Sequence, residues 1–374
     1  MARIKDLYDE KVITNIVKSY SDEAVVSTEP AEDPYIKVDA PTFKVEKGDK
    51  LFSEIFGWTP AAIPDIPLRV FSASDWDEEA RLMIPDINPH WVWDKEVVEC
   101  FALAMYSGDT TLIHGLMGTG KSCLVEQWCA LLIIPFWRMS CNRETREQHF
   151  LGSPGVEHDE KGQLSIKQEP TTLTDSLRYG GIFCEDEAFR HNSALVLQSL
   201  REKSNRTLTL PDAPGRTANE RRLVAPVGKW WYVLTDNTVG SGDETGIFDA
   251  EVQDASTLDR IDTAIEVEYL TKDRERQLLQ SVSRLNEDII NGMLDFAKLT
   301  RAAFTKQTIM STLSVRGLMG WAEKTELLGD VGMGLRLSWY NKLGSQDQRV
   351  IADVYHQVFA KQITDKVGTN EPTS

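Results

Sequence analysis

The sequence predicts an α/β fold: a parallel sheet flanked by helices around a phosphate-binding loop, followed by an all-helical domain. Three observations carry this prediction. Between about residues 108 and 270, short apolar β-prone runs alternate with helical patterns. A glycine-rich stretch, "HGLMGTGKSCLV" at 114–125, joins an apolar strand to an apolar helix. From residue 271 onward the apolar positions recur at helical spacing. With 41% hydrophobic and 26% charged residues, the 374-residue chain can bury substantial cores in two or three domains.

In chain order, residues 1–45 read as an acidic, proline-bearing, flexible arm typified by "STEPAEDPY". A lead-in segment follows at 46–107. In it "KLFSEIFGW" forms a short amphipathic helix and "TPAAIPDIPL" an extended run. A helix then starts near Asp94 as its N-cap, with Val97, Val98, Phe101, Leu103 and Met105 as its apolar face. Trp91 and Trp93 read as packing or stacking elements. The sheet domain at 108–270 takes its strands from 110–114, 135–140, 181–185, 230–235 and 263–269. The segment "VEHDEKGQLSI" at 156–166 reads as a hairpin turning at Gly162. Residues 271–374 supply a helical lid and C-terminal helices, and "GTNEPTS" a frayed tail.

The stretch at 115–122 fits G-x-x-x-x-G-K-[ST] at every position. Glycines let the backbone aim its N–H groups inward as a nest for phosphate oxygens, and the following helix adds its positive end. Gly115, Leu116, Met117, Gly118, Thr119, Gly120, Lys121, Ser122 and Cys123 are therefore the expected nucleotide-binding residues. Lys121 reaches the β- and γ-phosphates, and the Ser122 hydroxyl ligates Mg²⁺. The alternative is a glycine-rich turn with a solvated lysine.

"GGIFCEDEA" supplies an apolar strand ending in acids. Asp186 is the expected Walker B carboxylate, holding Mg²⁺ directly or through water, with Glu187 polarising the attacking water. Glu185 leaves the register open by one residue. In "WWYVLTDNTV", Asn237 lies at a strand end where an amide could bridge γ-phosphate and water, although asparagine is also common in turns. Arg260 and Arg316 are the two arginines best placed in sequence to neutralise charge on a transferred phosphoryl group; surface ion pairs are the other reading.

The net charge of −17 disfavours nonspecific nucleic-acid binding and anionic membranes. No apolar run approaches a membrane span, and "MARIKDLYDEKV" has no signal core, so a cytoplasmic protein is expected. The five cysteines include no C-x-x-C pair, and the six histidines no pair with metal-ligand spacing, so neither disulfides nor a zinc site are expected.

The order of P-loop, Walker B acids, strand-end asparagine, D-R before the last strand and S-x-R in a helical lid resembles AAA+ ATPases of the MoxR-like, helix-2-insert branch. Within it the chain is similar to the ATPase-subunit family of aerobic cobaltochelatases, through "FSEIFG", "IPDINPHWVWD", "GLMGTGKSCLVEQ", "TDNTVGSGDETGIF" and "LDRIDTAIEVEYL". The resemblance covers roughly residues 50–365. It implies an ATP- and Mg²⁺-dependent ring motor, a hexamer or similar ring, with Asn237 as sensor 1, Arg260 as a finger entering the neighbour's site and Arg316 as sensor 2. It also implies a von Willebrand-A-type adaptor subunit and a large tetrapyrrole-binding subunit that inserts cobalt into a corrin-type ring. The hairpin at 156–166 would project towards a partner. Glu185, where the family carries an apolar or aromatic residue, Asp236, the acidic arm and the long 210–228 segment depart from the pattern. A MoxR-type chaperone ATPase serving another complex is the nearest alternative. A nucleic-acid motor or a nucleotide-gated scaffold are more distant ones.

Overall fold

Five apolar runs with β-branched and aromatic residues become the strands of one parallel sheet. The computed structural model describes residues 43, 45–158, 164–192, 194–197, 200, 206–210, 212–215, 217–242 and 250–363. A lead-in pair, β1 (Asp49–Leu51) and β2 (Pro67–Arg69), is antiparallel. The sheet strands are β3 (Thr111–His114), β4 (Phe136–Ser140), β7 (Gly181–Asp186), β10 (Trp230–Asp236) and β11 (Thr263–Glu266). Between them lie two antiparallel ladders, β5 (Pro154–His158) with β6 (Leu164–Gln168), and β8 (Thr207–Thr209) with β9 (Arg222–Val224). The sheet order is β11-β3-β10-β7-β4. Every strand lies within a few residues of its expected position. The last is the shortest relative to expectation, because pairing with β3 ends at Glu266 opposite His114.

The expected hairpin is seen in its arms, with Val156 opposite Ile166. Its turn, including Gly162, lies outside the described residues, as do nearly all of the 1–45 arm and the 364–374 tail. The long 210–228 segment is partly accounted for: its end returns as β9 to pair with β8.

The helix Lys95–Ser107 starts at Asp94, whose carboxylate accepts from the Val97 N–H, and stops at the left-handed Gly108. It buries Val98, Phe101 and Met105, but Leu103 is 40% exposed. Leu103 lies off the stripe that Val98, Phe101 and Met105 form at helical spacing, so its inclusion in the apolar face is corrected. Phe101 meets Trp128 of the P-loop helix edge-on, and Phe56 bridges Trp93 and Trp128. Trp93 is thus a packing element.

The C-terminal part is helical as expected: Lys272–Val282, Glu287–Thr305, Val315–Leu328, Val331–Ser338 and Ser345–Phe359. Phe296, Trp321 and Tyr355 centre its separate core.

Candidate active site

The site lies where β3, β7 and β10 end together at the carboxyl edge of the sheet. Their register sets Asp236 beside His114, and Thr235 beside Asp186. The loop after β3 turns through Gly115, Gly118 and Gly120, all at positive φ, and the helix Lys121–Leu132 begins directly after. Two of these glycines are dictated by neighbours as well as by φ. A Cβ on Gly115 would stand 2.2 Å from the Val267 carbonyl oxygen, and one on Gly118 2.2 Å from Ser314 Cβ.

Lys121 is buried, and its ammonium donates to the Gly115 carbonyl at 2.8 Å, the Leu116 carbonyl at 3.0 Å and Asn237 Oδ1 at 2.8 Å. Burial pushes this amine down to about 8, against the pull of Asp236, Asp186 and Glu187. The loop thus holds a desolvated cation whose charge an anionic ligand would favour.

Ser122 Oγ donates to Asp186 Oδ1 at 2.5 Å, and Thr235 Oγ1 donates to the same oxygen. Arg138, from β4, grips Asp186 Oδ2 through Nε at 3.0 Å and through Nη2. Burial pushes the Asp186 carboxyl up, but the hydrogen bonds from Ser122, Thr235 and Arg138 outweigh it and hold it below the usual aspartate value. A hydroxyl and a carboxylate at one point make a hard-oxygen donor set that fits Mg²⁺.

Glu185 and Asp186 face opposite sides of the sheet. Glu185 is fully buried, accepting from the Tyr232 hydroxyl and bonded to His191 Nε2 at 2.6 Å, with Cys141 Sγ 3.9 Å away. The possible metal ligands of Cys141, Glu185 and His191 lie within 4.8 Å of one another, a convergence that sequence spacing did not reveal. Both Glu185 oxygens are hydrogen-bonded, in a buried polar cluster on β7 in which His191 Nδ1 has no partner among the described residues. The cluster accounts for an acid at a position where the resembled family carries an apolar or aromatic residue.

Glu187 sits one residue past the strand in a left-handed conformation, φ 58° and ψ 44°. Its carboxylate meets Arg190 Nη2 at 3.0 Å. Burial raises its carboxyl above the usual glutamate value, opposed by Arg190 and assisted by Asp186 and Asp236. Asp236, absent from the expected site, ties this turn to β10: it accepts from the Phe189 N–H at 2.9 Å and from both Thr238 donors.

Residues 110–261 match the protein family described as AAA domain (dynein-related subfamily). The match places an AAA domain over residues 110–261. The aerobic cobaltochelatase subunit CobS of Sinorhizobium sp is 25% identical over 308 residues, covering 80% of this chain and 89% of that protein. Two Thermotoga maritima RuvB mutants are similar among solved structures. One is 11% identical, over 72% of this chain and 71% of its own, with a TM-score of 0.41. The other is 11% identical, over 75% of this chain and 81% of its own, with a TM-score of 0.44.

Beside the AAA P-loop opens a cavity of about 350 Å³, lined among others by Trp91, Gly118, Gly120, Leu278, Arg316 and Met319. Trp91, read in sequence as a packing or stacking element, would touch a Gly120 Cβ at 3.3 Å, so its ring borders the loop. Arg316 is exposed at the first turn of Val315–Leu328, capped by Ser314. The helical part is fastened to the P-loop by Tyr269, whose hydroxyl donates to the Met117 carbonyl at 2.9 Å while Arg301 lies 3.8 Å over its ring. Arg260 follows the single helical turn Ala255–Leu258, exposed and with no side-chain partner among the described residues. Sequence reasoning missed Arg138, Thr235 and Asp236, whose roles depend on which strands become neighbours. No helix among the described residues is long and apolar enough to cross a membrane.

Proposed function

We propose that the chain is a cytoplasmic, Mg²⁺–ATP-hydrolysing AAA+ ring motor serving as the CobS-like ATPase subunit of a cobaltochelatase. In this reading it drives cobalt insertion into a corrin-type tetrapyrrole through partner subunits. The observation that carries the motor reading is the meeting of Lys121 with Asn237, and of Ser122 with Asp186, at one sheet edge. The AAA-family match supports ATP as the substrate. The chelatase reading is supported by the similarity to CobS across most of both chains.

Gly115 to Cys123 wrap the phosphates, and Lys121 supplies the mobile charge beside them. Ser122 and Asp186 would hold Mg²⁺, which neutralises phosphate charge when bound. Glu187 acts as general base on the attacking water, and Asn237 orients that water. Arg316, on the first turn of a lid helix, reports phosphate state to the lid. Arg260, exposed and without a described partner, is suited to reach the site of the next protomer in a closed, head-to-tail ring such as a hexamer.

The test is co-expression with a tetrapyrrole-binding large subunit and a von Willebrand-A-type adaptor, followed by co-purification and ATP-dependent cobalt insertion. Recovery of all three with chelation supports the reading. ATP hydrolysis without association, together with reproducible remodelling of a different complex, would instead assign a MoxR-type chaperone.

A further inference from the structure

Asp186 has no acceptor position to spare. A carboxylate offers about four lone-pair directions. On Oδ1, Ser122 Oγ and Thr235 Oγ1 take two of them. On Oδ2, Arg138 Nε and Nη2 take the other two. A divalent cation held through this carboxylate must therefore displace one of three partners. Thr235 is fully buried on β10. Ser122 is itself an expected metal ligand. Arg138 alone has somewhere to go: its side chain is 47% exposed, whereas that of Asp186 is 10% exposed.

We propose that Arg138 is a built-in cation that occupies Asp186 until Mg²⁺–nucleotide arrives, and that it competes with the divalent ion for this carboxylate. This rests on the ATP and Mg²⁺ reading of the site. The placement follows from strand register: β4 lies beside β7, with Arg138 opposite Cys184 and Ser140 opposite Asp186, so the arginine needs only its own stem to reach the strand end. Its forked guanidinium satisfies both directions of one oxygen, which an ammonium cannot do. The pairing keeps a buried carboxylate compensated while the site is empty. Once released, Arg138 stays on the edge of the same site, where its charge opposes the burial that raises the Glu187 carboxyl. Arg138 is thus a positioning residue that sets how much Mg²⁺ the site requires.

The experiment is a titration of a fluorescent ATP analogue into the full chain, in EDTA and over a range of free Mg²⁺, for wild type, Arg138→Ala and Arg138→Lys. Binding of Mn²⁺ to the nucleotide-free proteins, followed by electron paramagnetic resonance, is the second readout. Since the Arg138 side chain is half exposed, the effect is screened. The Mg²⁺ half-saturation of the complex is expected to fall about three- to tenfold in Arg138→Ala and by less in Arg138→Lys, with affinity in EDTA unchanged. Mn²⁺ should bind the alanine variant more tightly by a similar factor. An unchanged or raised half-saturation overturns the proposal. So does a loss of affinity in EDTA with the Mg²⁺ dependence kept, which would make Arg138 a phosphate contact instead. Should the alanine variant fail to fold, a half-saturation in Arg138→Lys equal to that of wild type overturns it as well. A wild-type chain that binds no nucleotide under either condition defeats the function reading itself, and is thereby distinguishable.

Discussion

Lys121 and Asn237, 116 positions apart in sequence, are joined by a 2.8 Å hydrogen bond from Nζ to Oδ1. This bond ties the P-loop to the end of β10, so the proposed phosphate-binding cation and the proposed water-orienting amide are positioned by each other. The two ends of the bond should separate binding from turnover. Lys121→Ala is expected to weaken nucleotide binding by tenfold or more, since a charge-assisted contact is worth about 1.5–3 kcal/mol. Asn237→Ala should leave affinity within a few-fold and lower the hydrolysis rate by about 10²-fold. Equilibrium titration beside a single-turnover assay reads both. Wild-type affinity in Lys121→Ala would place the nucleotide elsewhere.

The buried ammonium also makes binding pH-dependent. In the free protein burial holds Lys121 at about 8, and neighbouring phosphates favour its charged form, so the bound value is higher. Between the two values, binding takes up a proton. Affinity should therefore fall as pH rises through about 8, and be flat below it. Calorimetry at about pH 8.5 in two buffers of different ionisation enthalpy should show proton uptake that vanishes near pH 6. Equal apparent heats in both buffers at the higher pH would contradict this.

Glu187 and Glu185 should behave oppositely. Glu187→Gln removes the proposed base and is expected to cut turnover by about 10²–10⁴-fold with ATP still bound. Because burial raises the Glu187 carboxyl and the base must be ionised, the acidic limb of the wild-type rate profile should lie above that of an ordinary glutamate. Glu185→Gln places an amide against the donors of Tyr232 and His191. It should cost about 1–3 kcal/mol of stability and lower Tm by several degrees, with catalysis in the folded fraction kept. Loss of turnover in Glu185→Gln alone would move the Walker B assignment by one residue.

Much of this was legible locally. The glycine spacing at 115–120 marks a turn that only a backbone free of Cβ atoms can make, and an apolar run ending in Asp186 marks a strand reaching a sheet edge. What was not legible depends on sheet order. Nothing in "FWRMS" says that β4 will lie against β7, so Arg138 was invisible as a partner of Asp186. Thr235 reads as an unremarkable strand residue until β10 settles beside β7. Likewise Cys141, Glu185 and His191 converge only through tertiary folding. Leu103 was misjudged for a different reason: apolar character alone did not say which stripe of the helix would be covered.

Gly118 and Gly57 offer a controlled comparison. They share nearly the same conformation, φ +75° and +77°, but a Cβ on Gly118 meets Ser314 Cβ at 2.2 Å, whereas one on Gly57 meets nothing within 4 Å. Gly57→Ala should show only the conformational cost of about 1–2 kcal/mol. Gly118→Ala must also push Ser314 and the first turn of the lid helix away from the P-loop, and should reduce nucleotide affinity as well as stability. Equal effects of the two changes on affinity would mean the lid does not need this contact.

Arg260 separates a ring motor from a monomeric ATPase. Its side chain is exposed and has no partner among the described residues, as a finger acting on a neighbour requires. If it acts in trans, Arg260→Ala should keep ATP binding while hydrolysis falls by about 10³-fold or more, the range typical of arginine fingers. Mixing then reads the geometry. Where an Arg260→Ala protomer stands beside a Glu187→Gln protomer, some interfaces hold an intact Glu187 from one chain and an intact Arg260 from the other. The mixture should recover part of the activity that both parents lack. Because this depends on subunit exchange, mass photometry must first show mixed assemblies. If mixed rings form and no activity returns, or if the wild type hydrolyses ATP at full rate as a dilute monomer, Arg260 is a surface arginine and the inter-protomer mechanism fails.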